Sequence, residues 1–211
     1  MANNIHILLI DNYDSFTYNL QHLLLAIPNV TLTIRRNDDP FIKELEAGKY
    51  AGVVISPGPG SAEDKNYFGF NNQVILNFGT EGLPILGICL GFQGIYNCFG
   101  GKLKLSNLPM HGKVSKLKVD NNGLILNDIP DGAYVMRYHS IMADLTQKIP
   151  ECLELIAYTH AGKSQELNGL ELMALEHKEH PIYGLQFHPE SFATEYGDRI
   201  MQNFINKCII S

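Results

Sequence analysis

The feature that most constrains this chain is the regular alternation, through its N-terminal half, of short apolar runs with stretches whose apolar residues recur at helical spacing. Residues 5–10 are an apolar run that ends at Asp11 and Asn12, as a strand buried on both faces would. A helix is expected next, capped by Asp14 or Ser15 and carrying Phe16, Leu20, Leu23 and Leu24 on one face. Residues 31–35, 52–55 and 84–88 repeat the strand pattern, with helices expected over 41–47 and 70–78. Such an alternation dictates parallel strands joined by right-handed crossovers, hence an open α/β sheet, mainly parallel, with helices on both faces.

Beyond Gly100 and Gly101 the pattern changes. Residues 113–119, 134–138, 153–159, 170–176 and 182–186 read as short strands with turns between them, antiparallel or mixed and added to one side of the sheet. A last helix is expected over 196–209. With 211 residues, no repeat and no Pro-, Gly- or Ser-rich linker, residues 1–211 are expected to form one domain with one sizeable core. In open α/β sheets the active groups lie beyond the carboxyl ends of the strands, so the loops after apolar runs carry the functional information.

Composition narrows the function classes. A net charge of −6 with no run of Lys or Arg argues against a nucleic-acid surface. No apolar segment approaches the length of a membrane span, and the N-terminus lacks the basic and apolar stretches of a signal peptide. The four cysteines form no CxxC pair, so free thiols in a reducing cytoplasm are expected. No HExxH-like histidine spacing or carboxylate cluster announces a metal, and no cofactor is expected.

One cysteine stands apart. The expected strand 84–88 runs into Gly87-Ile88-Cys89-Leu90-Gly91, followed by a helix-like stretch over 92–99. Small residues two positions either side permit a tight strand-to-helix turn that exposes the central side chain, the form of a nucleophile elbow with Cys in place of Ser. The thiol there faces a helix N-terminus, whose unpaired N–H groups favour the thiolate. A buried filler cysteine would not need this spacing.

A thiolate needs a base, and Phe187-His188-Pro189-Glu190-Ser191 follows directly after the apolar run 182–186. A carboxylate two residues beyond a histidine can hold the imidazole in one tautomer and stabilise its charged form. His139, in Arg137-Tyr138-His139-Ser140, is the rival base, and geometry must decide between them. Ser56-Pro57-Gly58-Pro59-Gly60, after the apolar run 52–55, is a rigid turn or a loop whose backbone amides point outward as an anion site.

Taken together these motifs resemble the class I (triad-type) glutamine amidotransferases. Asp11-Asn12-Tyr13-Asp14-Ser15-Phe16-Thr17, Met110-His111-Gly112-Lys113 and Arg137-Tyr138-His139-Ser140 are similar, within that family, to the glutaminase subunits of anthranilate synthase and para-aminobenzoate synthase. The resemblance runs from about residue 7 to residue 191 in the family's order and implies a flavodoxin-like sheet. It implies Cys89 as nucleophile, His188 as base and then acid, and Glu190 as the group that orients His188. The amides of Leu90 and the Gly58 loop would form an oxyanion hole, with Gln93, Ser140 and Ile141 holding L-glutamine beside Gly58, Pro59 and Gly60. Phe92 stands where relatives often carry His or Met, and is given no catalytic role.

What the resemblance implies for function is hydrolysis of glutamine to glutamate through a cysteine thioester. The ammonia released would pass to a separate chorismate-using synthase, which makes anthranilate for tryptophan or 4-amino-4-deoxychorismate for folate. His111, Gly112 and Lys113 are expected at the interface with that synthase. Two other readings stay open on the residues alone. One is a stand-alone thiol hydrolase, such as a gamma-glutamyl peptidase; the other is a non-catalytic flavodoxin-like binding module, which would leave Cys89 and His188 without a shared purpose.

Overall fold

The computed structural model describes residues 4–106, 109–120, 123–160 and 170–210. Its N-terminal half follows the expected alternation: β1 (Ile5–Asp11), α1 (Thr17–Leu25), β2 (Val30–Arg36), α2 (Ile42–Glu46), β3 (Gly52–Ile55), β4 (Ile85–Ile88) and α5 (Leu90–Cys98). Between β3 and β4 lie a short helix α3 (Lys65–Phe68), a turn of helix α4 (Asn71–Gln73) and a π-helical segment (Val74–Gly79). The helix expected over 70–78 is therefore split, with a wider winding through its second half.

Among the described residues the main sheet has eight strands, in the order β2-β1-β3-β4-β12-β11-β10-β7. Here β7 is Lys118–Val119, β10 is Leu153–His160, β11 is Leu170–His177 and β12 is Ile182–Leu185. The pairs from β2 to β12 are parallel, and those from β12 to β7 are antiparallel. The extension expected on one side of the sheet is thus present as β11, β10 and β7. The run at 182–186 belongs instead to the parallel half, pairing with β4 in register Leu185 to Ile88. That register sets the loop after β12 beside the loop after β4.

Period-2 alternation puts Ile7 and Leu9 of β1 on one face and Leu8 and Ile10 on the other. Leu20 and Leu24 of α1, with Ile200 and Phe204 of α6 (Gly197–Ile210), cover the first face. Phe92, Ile95 and Tyr96 of α5 cover the second. These side chains are fully buried, each contributing roughly 1.5–3 kcal/mol relative to exposure. The helix carrying the elbow is therefore anchored by its own core face.

Three local expectations are corrected. Neither Asp14 nor Ser15 caps α1: the N-cap is Phe16, and the Asp14 carboxylate accepts the Phe16 amide at 2.8 Å one turn earlier. The strand expected over 113–119 breaks at Leu117 into β6 (Lys113–Lys116) and β7. Leu117 is buried and exchanges backbone bonds with Ala133 and Gly132 instead, so the chain crosses there from one sheet to another. The strand expected over 134–138 pairs only with β6: β8 (Tyr134–Arg137) and β6 form a separate antiparallel ribbon. A second ribbon joins β5 (Leu103–Leu105) to β9 (Ile141–Ala143).

Candidate active site

Cys89 occupies the turn between β4 and α5 with φ 51° and ψ −97°, a conformation that L-residues avoid. The two flanking glycines make the turn possible. A Cβ at Gly87 would stand 2.5 Å from the carbonyl of Gly91, and one at Gly91 would stand 2.7 Å from the carbonyl of Ile55. The backbone is held by a bond from the Cys89 amide to Leu185 O at 2.8 Å, across to β12. No side chain caps α5, which leaves its first-turn amides, Leu90 among them, for another acceptor.

The loop after β3 closes over this turn. Any Cβ at Gly58 would meet Asn12 at 2.5 Å and the Leu90 side chain at 2.9 Å, so the glycine lets the loop lie against the elbow. Asn12 ties it down: its backbone N–H donates to Ser56 Oγ at 2.9 Å, and its side-chain Nδ2 donates to Ser56 O at 2.7 Å. Asn12 Oδ1 in turn accepts from Nδ2 of Asn37 at 2.9 Å and of Asn71 at 2.7 Å. Three buried amides thus fix a loop whose outer residues, Pro59 and Gly60, are exposed.

His188 and Glu190 follow β12. His188 Nδ1 and Glu190 Oε1 are 2.6 Å apart, and both side chains are almost wholly buried. Backbone bonds hold this loop to β8: the His188 amide donates to Met136 O at 3.0 Å, and Thr194 Oγ1 donates to His188 O at 2.6 Å while accepting from the Met136 amide. Burial alone would push the imidazole down. Hydrogen bonding to Cys89 and Glu190, with the charge of both, outweighs it and lifts the His188 pKa to about 10. Because Nδ1 is taken by Glu190, the nitrogen left for the sulfur is Nε2, which is buried and is not taken by another side chain among the described residues.

His139 is held differently. It is buried with Arg137 and Glu171, which form a buried ion pair, and its Nε2 lies 3.4 Å from Arg137 Nη2 and 3.3 Å from Glu171 Oε2. Burial first, then the charges of Arg137 and His188, push its pKa down to about 3. A neutral ring packed against an arginine is poorly placed to collect a thiol proton.

Gln93, on α5, donates from Nε2 to Ile141 O at 2.9 Å, which brings two of the expected glutamine contacts together. Ser140, next to Ile141, is exposed, and its carbonyl accepts from the Ser106 amide at 2.7 Å. His111, Gly112 and Lys113 are exposed at the start of the ribbon, with the Gly112 amide bonded to Arg137 O at 3.1 Å. The ribbon does reach the site through Tyr138, whose ring stacks on Phe16 (5.4 Å) and meets His188 edge-on (5.2 Å). Together Phe16, Asn19, Tyr138, Glu190, Ser191 and Phe192 line a small cavity beside His188, where Phe192 is 97% exposed.

Reading by motif left several of these residues without a task. Gln186 is fully buried and its Nε2 lies 3.6 Å from Cys89 Sγ; it counted only as the end of a strand. Asn37 and Asn71 gave no signal because they support the Gly58 loop from other elements. Asp14 also lies near the site: burial raises its pKa, against the Phe16 amide and the charge of His188. Among the described residues, no three His, Cys, Asp or Glu side chains converge as a metal site would require.

The fold and site define an α/β protein with a cysteine elbow at the carboxyl edge of a parallel sheet and a histidine–carboxylate pair at the next strand end. The model of the family Glutamine amidotransferase class-I matches residues 8–208. Anthranilate synthase component 2 of Leptospira biflexa is 39% identical over 205 residues, covering 95% of this chain and 98% of its own. The protein of the same name from Lactococcus lactis subsp. lactis is 42% identical over 201 residues, covering 95% and 94%. The crystal structure of a glutamine amidotransferase from Thermotoga maritima shares the fold, with a TM-score of 0.71 over 97% of this chain and 82% of its own at 17% identity. The chain belongs to the class-I glutamine amidotransferase family.

Proposed function

We propose that this protein is the glutaminase subunit of a chorismate-using synthase: it hydrolyses L-glutamine to glutamate and delivers ammonia to a separate synthase chain. The observation that carries the chemistry is the buried His188–Glu190 pair at 2.6 Å beside a cysteine held at positive φ on a helix N-terminus. What supports the pathway is that relatives similar over 95% of the chain are named anthranilate synthase component 2, which favours anthranilate, and so tryptophan synthesis, over the stand-alone hydrolase and the binding module.

The steps follow from the groups present. The Cys89 thiolate adds to the side-chain amide carbon of glutamine, and the oxyanion is met by the amides of Leu90 and the Gly58 loop, each typically worth about a hundredfold in rate. His188, protonated at rest with Glu190 behind it, gives its proton to the departing nitrogen, so that ammonia leaves and a thioester remains. Water then attacks the thioester while His188 takes its proton, and glutamate and the thiolate are restored. Both amide hydrogens of Gln93 are engaged by Ile141 O and Gln186 Oε1, so what Gln93 offers a substrate is its own Oε1. The exposed segment His111-Gly112-Lys113 faces the synthase in this reading, and the four free cysteines suit a reducing cytoplasm. Among the described residues no helix is long and apolar enough to cross a membrane.

The test is Cys89→Ser. In complex with the synthase it should lose glutamine-dependent product formation while keeping product formation from ammonium salt, because a hydroxyl at this turn is a far weaker nucleophile. Retention of most glutamine use by the variant would overturn the reading.

A further inference from the structure

We infer that Gln186 holds the Cys89 sulfur in its reactive form through a hydrogen bond from its side-chain amide, as a further residue of glutamine hydrolysis. This role rests on Cys89 being the nucleophile, as proposed above. It follows from the polarity of a buried chain of amides that ends on the sulfur.

A peptide carbonyl can only accept, so the atom of Gln93 at 2.9 Å from Ile141 O is the donor Nε2. The same Nε2 lies 3.3 Å from the Gln186 amide, which makes the nearer atom of Gln186 its acceptor, Oε1. The remaining end of that amide, Nε2, then faces Cys89 Sγ at 3.6 Å. Flipping Gln186 would set two NH2 groups against each other, and flipping Gln93 would set two carbonyl oxygens together. The sulfur is therefore offered an N–H donor, which favours its anion over its S–H form.

The Gln186 side chain serves two neighbours, accepting from Gln93 Nε2 and donating toward Cys89 Sγ. Gln186 is fully buried, just beyond β12, and its backbone amide is already satisfied by Met173 O at 2.8 Å. A leucine there would fill the space but would take away the acceptor of one Gln93 amide hydrogen and the donor to the sulfur, because the amide joins Ile141, Gln93 and Cys89 in one line. His188 approaches the sulfur from its own loop, so the thiolate has an imidazolium on one side and a neutral donor on another. The neutral donor can hold the sulfur without competing for its proton. Inside a buried site one hydrogen bond to a charged group corresponds to about tenfold or more in the equilibrium it biases.

The experiment uses the full chain with Gln186→Leu and with the near-isosteric Gln186→Glu. Iodoacetamide alkylation of Cys89 is followed across pH by peptide mapping, with Cys98, Cys152 and Cys208 as internal controls, and glutamine kcat and KM are measured in the complex with a chorismate-using synthase. For Gln186→Leu the expected result is about tenfold slower alkylation at neutral pH, a midpoint moved to higher pH, and a matching fall in kcat with KM within about threefold. Gln186→Glu, which fills the same space but brings a carboxylate to the sulfur, should lose more, and it carries the measurement if the leucine variant does not fold. A variant that melts like the parent yet shows an unshifted alkylation midpoint and unchanged kcat overturns the role of Gln186. If Cys89→Ser is inactive with glutamine and Gln186→Leu is normal, only this role fails; if Cys89→Ser keeps its glutamine activity, the reading beneath it fails too.

Discussion

Two strand ends meet near the same cleft, and each carries a buried histidine, yet the two rings are driven in opposite directions. At the end of β12, His188 has a carboxylate at 2.6 Å and a cysteine at its other nitrogen, and its pKa is lifted to about 10. Just past the end of β8, His139 lies against an arginine whose own partner is Glu171, and its pKa is driven to about 3. Burial penalises the cation at both sites and cannot distinguish them. What separates them is the sign of the first neighbour: the carboxylate near His139 is already committed to Arg137, whereas Glu190 pairs with His188 and, among the described residues, with no lysine or arginine.

The contrast is broken most directly at His188. His188→Ala should reduce glutamine-dependent turnover about as much as loss of Cys89 itself, on the order of ten-thousandfold or more, because members of a triad act as a unit. Glu190→Gln should cost less, about a hundredfold, since the ring keeps a neutral partner but loses the charge that supports its cation. Rates with ammonium in the synthase complex serve as the control. Efficient thioester formation by His188→Ala would mean that the two histidines have been assigned the wrong way round.

At the other strand end the larger effect should be on stability. Glu171→Ala leaves the Arg137 guanidinium buried and uncompensated, and should destabilise the fold by about 3–5 kcal/mol, whereas Arg137→Met with Glu171→Leu should recover much of that loss. Denaturant melts of the single and double variants measure it. A single variant as stable as the parent would show that Glu171 does not carry the pair.

Proton linkage sharpens the comparison further, with smaller changes. For His188 the folded pKa lies above the unfolded value of about 6.5, so its stabilisation is complete below pH 6.5 and is lost as pH rises toward 10. For His139 the folded pKa lies below it, so the native state resists a proton that the unfolded chain accepts, and stability is lost as pH falls from about 6.5 toward 3. Melting temperature followed against pH should therefore lose part of its alkaline slope in His188→Gln and part of its acid slope in His139→Gln. Parallel changes in both variants would remove the distinction.

How much of this was legible beforehand follows the range of the contacts. Gly87 and Gly91 could be read because an elbow imposes a short spacing, and His188 with Glu190 because the carboxylate is only two residues away and must follow a strand. That β1, β3 and β4 are parallel could be read from their apolar runs and the helices between them, but their order in the sheet could not. Gln186 and Asn12 could not be read in the same way: their partners Cys89, Asn37 and Asn71 are brought to them by the sheet and its loops, and side-chain amides have no period. The break at Leu117 was hidden because a run of strand-forming residues does not record that its two halves pair with different neighbours, β6 with β8 and β7 with β10.

The smallest effect is expected where the β8 region meets solvent. His111 and Lys113 are exposed, but Gly112 is bonded to Arg137 O, and the next residue, Tyr138, places its ring edge-on to His188. A synthase pressing on this segment would therefore act on the His188 side of the cleft through one strand and one aromatic ring. Replacing both His111 and Lys113 by Ala removes surface groups only, so the fold should be unaffected and complex formation weakened by about tenfold, the scale of one or two rim contacts. Partner-stimulated glutamine use should fall in step, while the synthase's rate with added ammonium salt stays nearly unchanged. The pair of rates on the reconstituted complex is the measurement. Equal loss of both would place the damage in the synthase's own chemistry, and loss of neither would mean that the ribbon end faces water in the complex and that coupling to His188 takes another route.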